Sequence, residues 1–585
     1  MKNLAKHILF SSLLTLGISN VTNADNKVLL IGVDGVQYEK LSTVNTPNFD
    51  RLHIQKAWTG GITGDITEQG TFSGPGWSTI HTGVWANKHQ ITENGDTSSN
   101  PQYPSIFKRV RDAKPNAFIA SIAHWGNPNT HFFPNDVAGN DVTLSGIADQ
   151  AVTDKVVELI NTTSADFIFA HLDDPDHHGH SSCFGSAYNN SIETADRQIG
   201  EMMAAIDSKV ATTGDNWLIL ITTDHGRDSR GCGHGSQTTE EKTIFIASNQ
   251  ALNSEFTTPV SNIENTDFGG LYGYPSQASL TPTALRHLGI EPQISWQLDG
   301  IPLNGALAVQ KMMPASSSDI AWHSNSATTV DIYRNGNFVE TINSLEKSWS
   351  DTNSSNGIND YVLVQNQTPA AIQLNKLDIN AALSWNSIRS YMFRSNETYV
   401  RYSKTLDRAD SGYPKATSED LWPGLGQYAN KVVAALEKNT SVSYFFLNDG
   451  TYIRYNNILD RADAGYPKPV NDSTWPGLGG YGDKIIATLR WSNDKAYFFL
   501  NDGRYIRYDI GDDKADSGYP QPIDDNTWPG LGAYAQDITS AFKWNNSRAY
   551  FFLTGQRYIR YSISDDRVDN GYPAKTNNNT WPGLL

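Results

Sequence analysis

The sequence predicts a multidomain chain: an α/β sandwich first, a small β-sandwich connector next, and a closed four-unit array of strands last. Three observations carry this reading. Apolar runs alternate with helix-like stretches through the first half. The pattern turns hairpin-like after about residue 315. From about residue 376 the chain repeats itself every 53 residues. A length of 585 residues suits three or four domains.

Residues 1–24 read as a secretory signal. Lys2 and Lys6 make a basic start, Ile8 to Ile18 is apolar but too short to span a bilayer, and Thr22-Asn23-Ala24 ends in a small residue. Cleavage after Ala24 and a secreted or periplasmic chain without a transmembrane segment are expected. Net charge is −17, and loss of those two lysines takes it to −19. That charge argues against non-specific binding to nucleic acid or anionic membrane. The two cysteines, Cys183 and Cys232, suggest a disulfide in an exported chain.

Residues 25–311 carry the α/β pattern. Lys27 to Val33, Asp166 to Ala170 and Trp217 to Thr222 suit strands of a parallel sheet buried on both faces. Ile147 to Ile160 and Ile192 to Ile206 read as helices between them. In such sheets, sites form beyond the carboxyl ends of the strands. Asp34, Asp176 and Asp224 all follow apolar runs at that edge. Residues 312–372 are the connector; Val330 to Val339 reads as a hairpin around Asn335-Gly336, and Asp360 to Val364 as a further strand.

Residues 373–585 hold the repeats, about 376–428, 429–481, 482–534 and 535–585. Trp422, Trp475, Trp528 and Trp581 each open a WPGL, and Tyr399, Tyr452, Tyr505 and Tyr558 each open a Y-V/I-R-Y at the same period. GYP recurs at Gly412, Gly465, Gly518 and Gly571. Strand-rich units with aromatics and glycines at fixed offsets suggest radial closure. The unit resembles the hemopexin repeat, which implies a four-bladed propeller. With no cysteine in this region, closure rests on packing, with the terminal WPGLL as its natural site. The resemblance also implies a further cation in the channel, near Ala381, Ala434, Ala487 and Ser540. A polymer, matrix component or protein is the expected ligand of the propeller.

The residues that carry chemistry are Asp34, Ser73, Asp176, His180, Asp224, His225 and His234. Each alone has a bland reading, as a helix cap, a turn or a solvated loop residue. Together they are the residue types that two zinc ions need, with a hydroxyl among them. Asp34 stands in IGVDG, and Thr46 to Leu52 reads TPNFDRL. Ser73-Gly74-Pro75 precedes Thr82-Gly83. Asp176 to His180 reads D-x-x-G-H, followed by Asp224-His225-Gly226 and Gly233-His234-Gly235. Over about 27–303 this order resembles the alkaline phosphatase superfamily, and within it the nucleotide pyrophosphatase/phosphodiesterases.

The resemblance implies one zinc on Asp176, His180 and His234, and a second on Asp34, Asp224 and His225. It implies Ser73 as nucleophile and Asn94, 21 residues on, as donor to the phosphoryl oxygen. The departures matter. Thr71-Phe72 precedes Ser73, so a register with Thr71 as attacker stays open. His89 is followed by Gln90 where a Gly is usual. Trp77 stands where sulfatases need Arg, and Gly35 where they carry a second aspartate. No Lys-x-Arg grips a dianion; Lys155 reads as a solvent-facing helix residue. Trp77, His124, Trp125 and Asn127 are expected in the substrate pocket. The expected activity is phosphodiester or pyrophosphate hydrolysis of a small phosphate ester. A phosphomonoesterase or phosphonate hydrolase on the same metals is the alternative, and an adhesin with a vestigial enzyme domain is the alternative of another class.

Overall fold

The structure is a computed structural model that describes residues 24–585, except 264, 316, 325–326, 352, 356, 577–579 and 585. The expected signal segment lies outside the described residues, apart from Ala24. Among the described residues, no helix is long and apolar enough to cross a membrane.

The first region is built on a seven-stranded sheet: β1 (Asn26–Val33), β2 (His53–Trp58), β3 (Ile119–Ala123), β4 (Val142–Ser145), β5 (Phe167–Leu172), β6 (Asn216–Thr222) and β7 (Thr243–Ser248). Its order is β2-β7-β6-β1-β5-β3-β4. β6, β1, β5, β3 and β4 run parallel, as the apolar runs predict. β7 runs antiparallel to both β6 and β2, so the sheet is mixed rather than all parallel. β1, β5 and β6 are buried almost throughout, because helices cover both faces. One layer rests on Leu29, Ile31, Val156, Ile192 and Ile199. The other rests on Val28, Leu30, Trp77, Ile80 and Leu285. The long helix predicted around Ile192 to Ile206 spans Ser186–Thr213.

Two small sheets follow. β8 (Gln310–Pro314), β9 (Asp319–His323) and β12 (Ser348–Ser350) form one. β10 (Thr329–Arg334), β11 (Asn337–Asn343), β13 (Gly357–Gln365) and β14 (Thr368–Lys376) form the other. They enclose one core of Ile320, Trp322, Ile332, Tyr361 and Leu363. The β10–β11 turn is the predicted Asn335-Gly336, at φ 50° and 78°, the left-handed pair that a tight hairpin requires. This region is bound to the first. Lys311 Nζ pairs with Glu255 Oε1 at 2.7 Å, both buried, and the Ala371 N–H donates to the Leu298 carbonyl at 2.9 Å.

From Ile379 onward the chain forms four five-stranded antiparallel sheets, one per repeat. Their first strands, Ile379–Ser384, Val432–Asn439, Ile485–Arg490 and Ile538–Lys543, lie next to one another in sequence, and the last also lies against the first. Each carries a bulge just before Ala381, Ala434, Ala487 or Ser540. The WPGL tryptophans pack on the following unit. Trp422 lies 5.3 Å from Tyr455, Trp475 5.3 Å from Tyr508, and Trp528 5.3 Å from Tyr561. Trp581 of the fourth unit lies 5.2 Å from Tyr402 of the first. The Pro582 carbonyl accepts the Ala409 N–H at 2.8 Å, so backbone pairing joins the two ends as well.

Candidate metal centre

β1, β5 and β6 end level with one another, Val33 opposite Leu172 and Gly32 opposite Thr222. Asp34, Asp176 and the Asp224-His225 pair therefore meet at one sheet edge. The helix Asp174–Ser182 sets Asp176 and His180 one turn apart on the same side. The helix Ser73–Thr82 brings its N-terminus to this edge. It lies this close because Gly32 has no side chain; a Cβ there would strike the Trp77 ring.

Four groups of ligand-type residues lie together among the described residues, and two of them hold residues expected on the metals, with Asp176 rather than Asp224 completing the second. Asp176, His180 and His234 bring donor atoms within 4.8 Å of one another, and so do Asp34, Asp176 and His225. His180 Nε2 is 3.2 Å from Asp176 Oδ2 and 3.1 Å from His234 Nε2. His225 Nε2 is 3.2 Å from Asp224 Oδ2 and 3.7 Å from Asp34 Oδ1. The His225 and His234 rings stack at 3.8 Å. Ser73 Oγ lies 3.3 Å from His225 Nε2.

The donor chemistry fits a divalent metal. His225 Nδ1 donates to the Gly226 carbonyl and His234 Nδ1 to the Thr71 carbonyl, each at 2.9 Å. A carbonyl only accepts, so both rings hold their proton on Nδ1 and turn Nε2 toward the carboxylates, the orientation of a metal-binding imidazole. Asp34 Oδ1 and Asp224 Oδ2 are buried without a hydrogen-bond partner among the described residues. Burial, then the Asp224 and Asp176 charges, push Asp34 up to about 7. Burial, then Asp176, push Asp224 up to about 7 too. Burial and the neighbouring His225 push His234 down to about 3. Burial acts upward on Asp176 as well, but the His180 bond, with His225 and Arg227, holds it below the usual carboxylate range. Buried carboxylates crowded this way are relieved by a cation on their free oxygens.

The remaining sequence candidates divide. Asn94 Oδ1 accepts the Gly74 N–H at 2.7 Å, at the start of the Ser73 helix. Asn127 Nδ2 donates to the Asn94 carbonyl at 3.1 Å, so these two stand together at the rim. His124 Nδ1 holds Asp149 Oδ1 at 2.6 Å, and Asp149 in turn accepts the N–H groups of Asp173 and Asp174. Trp125 is half-buried against Phe132. Trp77, expected in the pocket, is instead fully buried beneath the site, and its indole N–H donates to Asp34 Oδ2 at 2.9 Å. Its position on the inner face of the Ser73 helix put it there. Lys155 pairs with Glu158 on its own helix and takes no part. Cys183 and Cys232 form a disulfide.

Three residues at the site were not singled out in the sequence. His171, on β5, places Nε2 3.3 Å from Asp34 Oδ2, and Asp173 groups with the same pair. Arg227 is fully buried and ion-paired with Asp176 Oδ1. The available signal for His171 was a polar residue within the apolar run FIFAHL.

Residues 27–267 match the metalloenzyme superfamily. The chain carries a metalloenzyme-superfamily domain. Among curated proteins, the interstitial collagenase of Equus caballus is 33% identical over 99 residues, 17% of this chain and 19% of that protein. The macrophage metalloelastase of Oryctolagus cuniculus is 28% identical over 162 residues, 28% of this chain and 31% of that protein. The chain thus spans only about a fifth to a third of the curated relatives it matches. Among solved structures, a hemopexin fold protein from cow pea is 21% identical, covering 35% of this chain and 96% of that one, with TM-score 0.30. Murine ectonucleotide pyrophosphatase/phosphodiesterase 5 is 18% identical, covering 34% and 57%, with TM-score 0.28. A 2-O GAG sulfatase is 10% identical, covering 66% and 86%, with TM-score 0.36.

Proposed function

We propose that this chain is an exported two-zinc phosphodiesterase of nucleotide pyrophosphatase type, with Ser73 as nucleophile and a four-bladed propeller for attachment. The observation that carries the reading is the Ser73 hydroxyl at a helix N-terminus, 3.3 Å from His225 Nε2 and set among carboxylates with unpartnered oxygens. Asp176, His180 and His234 would hold one zinc, and Asp34, Asp224 and His225 the other. Zinc held there lowers the pKa of a bound hydroxyl and stabilises charge on phosphoryl oxygens.

The chain's own groups supply the rest. Ser73 Oγ forms a bond to phosphorus while the bond to the leaving oxygen breaks, and the alcohol or phosphate departs with a proton. Water then releases the phosphoryl group from Ser73. At the start of the Ser73 helix the Gly74 N–H is taken by Asn94 Oδ1, Pro75 has no N–H and the Gly76 N–H is bonded to the Phe72 carbonyl, so the helix favours the negative charge of the transferred group through its dipole. Because Asn94 Oδ1 is held by the Gly74 N–H, its amide nitrogen is turned outward, free to donate to a phosphoryl oxygen. One neutral donor suits the single charge of a diester better than a dianion.

Metal analysis and a substrate pair test this on the whole protein. About two zinc per chain are expected, with aryl diesters hydrolysed at higher kcat/KM than aryl monoesters. Chelation should remove both metal and activity. Full activity without transition metal would end the metal reading, and a strong monoester preference would move it to a phosphomonoesterase.

A further inference from the structure

The repeat breaks once on its inner edge. The units align without a gap at 53 residues, and the position just past the core of each first strand is Trp385, Lys438, Trp491 and Trp544. In three units the indole packs on the tyrosine of the next strand and on the WPGL tryptophan. Trp385 lies 5.1 Å from Tyr391 and 6.2 Å from Trp422. Trp491 lies 5.6 Å from Tyr497 and 5.7 Å from Trp528. Trp544 lies 5.5 Å from Tyr550 and 5.8 Å from Trp581.

The second unit keeps both partners, Tyr444 and Trp475, 4.9 Å apart. Lys438 occupies the aligned position, in a strand that runs two residues further than its sisters and bulges between Glu437 and Asn439. What is left is a cavity with about 390 Å³ of atom-free space, part of it open to solvent, walled by Leu436, Tyr444, Trp475, Tyr508 and Ile510, with Lys438 and the carboxylate of Asp513 also lining it. The far wall is fixed, since the Tyr508 hydroxyl donates to Asp513 at 3.1 Å. The Lys438 carbonyl is held by Arg490, so the backbone is in place. Its ammonium makes no hydrogen bond or ion pair among the described residues.

We propose that this cavity binds a flat aromatic ring of indole size that carries a carboxylate. The ring takes the place of the missing indole, edge to face with Tyr444 and Trp475, as the three sister indoles sit on their own partners. The carboxylate pairs with Lys438, the one cation among the lining residues. The site is separate from the metal centre and does not depend on the hydrolase reading.

Titration calorimetry on the full chain tests it, with indole-3-carboxylate as probe and indole as its neutral counterpart. The expected result is one saturable site per chain, with a Kd on the order of a millimolar or tighter for the acid, and weaker binding of indole. Lys438→Met should erase the preference for the acid while indole still binds. Lys438→Trp restores the repeat, so it should abolish binding of both probes and raise Tm. Absence of saturable binding to the wild-type chain overturns the proposal, as does binding that survives Lys438→Trp. A lowered Tm in Lys438→Trp shows that the cavity does not have the shape of an indole, and an unchanged acid preference in Lys438→Met removes the carboxylate.

Discussion

Ser73 and Thr71 are hydroxyls two residues apart, and only their surroundings separate them. Thr71 Oγ1 donates to Glu241 Oε2 at 2.8 Å and accepts the N–H groups of Gly235 and Gln237 at 3.0 and 3.2 Å. Its proton and lone pairs are used, and its carbonyl orients His234. Ser73 Oγ has His225 as its only hydrogen-bond contact among the described residues. Ser73→Ala should therefore cost at least ~10³-fold in kcat/KM, and added zinc should not restore it. Thr71→Ala should lower stability by about 1–3 kcal/mol through its lost buried bonds, with weakened metal retention that excess zinc restores. The opposite pattern in a zinc titration of the two variants would make Thr71 the nucleophile. Gln90 is a second residue whose setting decides its effect. It closes the helix Ala86–His89 in the left-handed region, at φ 64°, where the related pattern has glycine. Gln90→Gly should stabilise the fold by about 0.5–1 kcal/mol, since relief of the left-handed backbone exceeds the added chain entropy. The denaturation midpoint measures it, and a lowered midpoint would contradict it.

At the level of elements, the helix Asp174–Ser182 and the loop around Arg227 to Gly235 act as one piece. Asp228 accepts the N–H groups of Arg230 and Cys232 at 3.0 Å each, and Arg227 Nε donates to the Gly231 carbonyl at 2.7 Å. The Cys183–Cys232 disulfide then ties this loop, which carries His234, to the end of the helix that carries His180. With the two cysteines 49 positions apart in sequence, the bond should contribute about 4 kcal/mol in the chain-entropy model. Native protein should show no titratable thiol. Reduction should lower the transition temperature and loosen the metal on His180 and His234 before it loosens the other. Two free thiols in the unreduced protein would exclude the bond. The strands around this piece were unequally legible. β1, β5 and β6 stand out as long apolar runs of Val, Ile, Leu and Phe. β3 (IASIA) and β4 (VTLS) are too short to show a period, and the antiparallel direction of β7 leaves no mark in TIFIAS.

At the scale of the whole molecule, two cohesive bodies of contacts follow from the packing. Phe542, Phe552 and Trp581 of the fourth repeat share one core with Ile379, Met392 and Tyr402 of the first. Deleting residues 535–585 opens that core, so the remaining repeats should lose their cooperative thermal transition entirely, rather than a quarter of their stability as in an open solenoid. A surviving transition in calorimetry would speak for independent stacking. The first region behaves differently. A fragment ending near Leu303 would leave Glu255 buried without Lys311, a loss of about 3–5 kcal/mol for a broken buried pair. A fragment through Lys376 keeps the pair and the Ala371 contact, and should still hydrolyse small diesters. If it stays folded but inactive, the repeats help to form the site.

The amino-acid sequence alone determined what residue identity at a fixed spacing can carry. The order of ligand-type residues from Asp34 to His234, the 53-residue period, the Asn335-Gly336 turn and the cysteine pair are all of that kind. Only the tertiary structure decided which neighbours come within hydrogen-bond reach across long stretches of chain. It turned Trp77 from a pocket wall into a buried donor to Asp34, brought His171 and Arg227 to the ligands, and left Ser73 rather than Thr71 with an uncommitted hydroxyl. The period shows that Lys438 breaks the tryptophan series; only the packed sheets show a cavity beside it. Spacing along the chain encodes local geometry, whereas burial and partnership depend on the whole fold closing around each side chain.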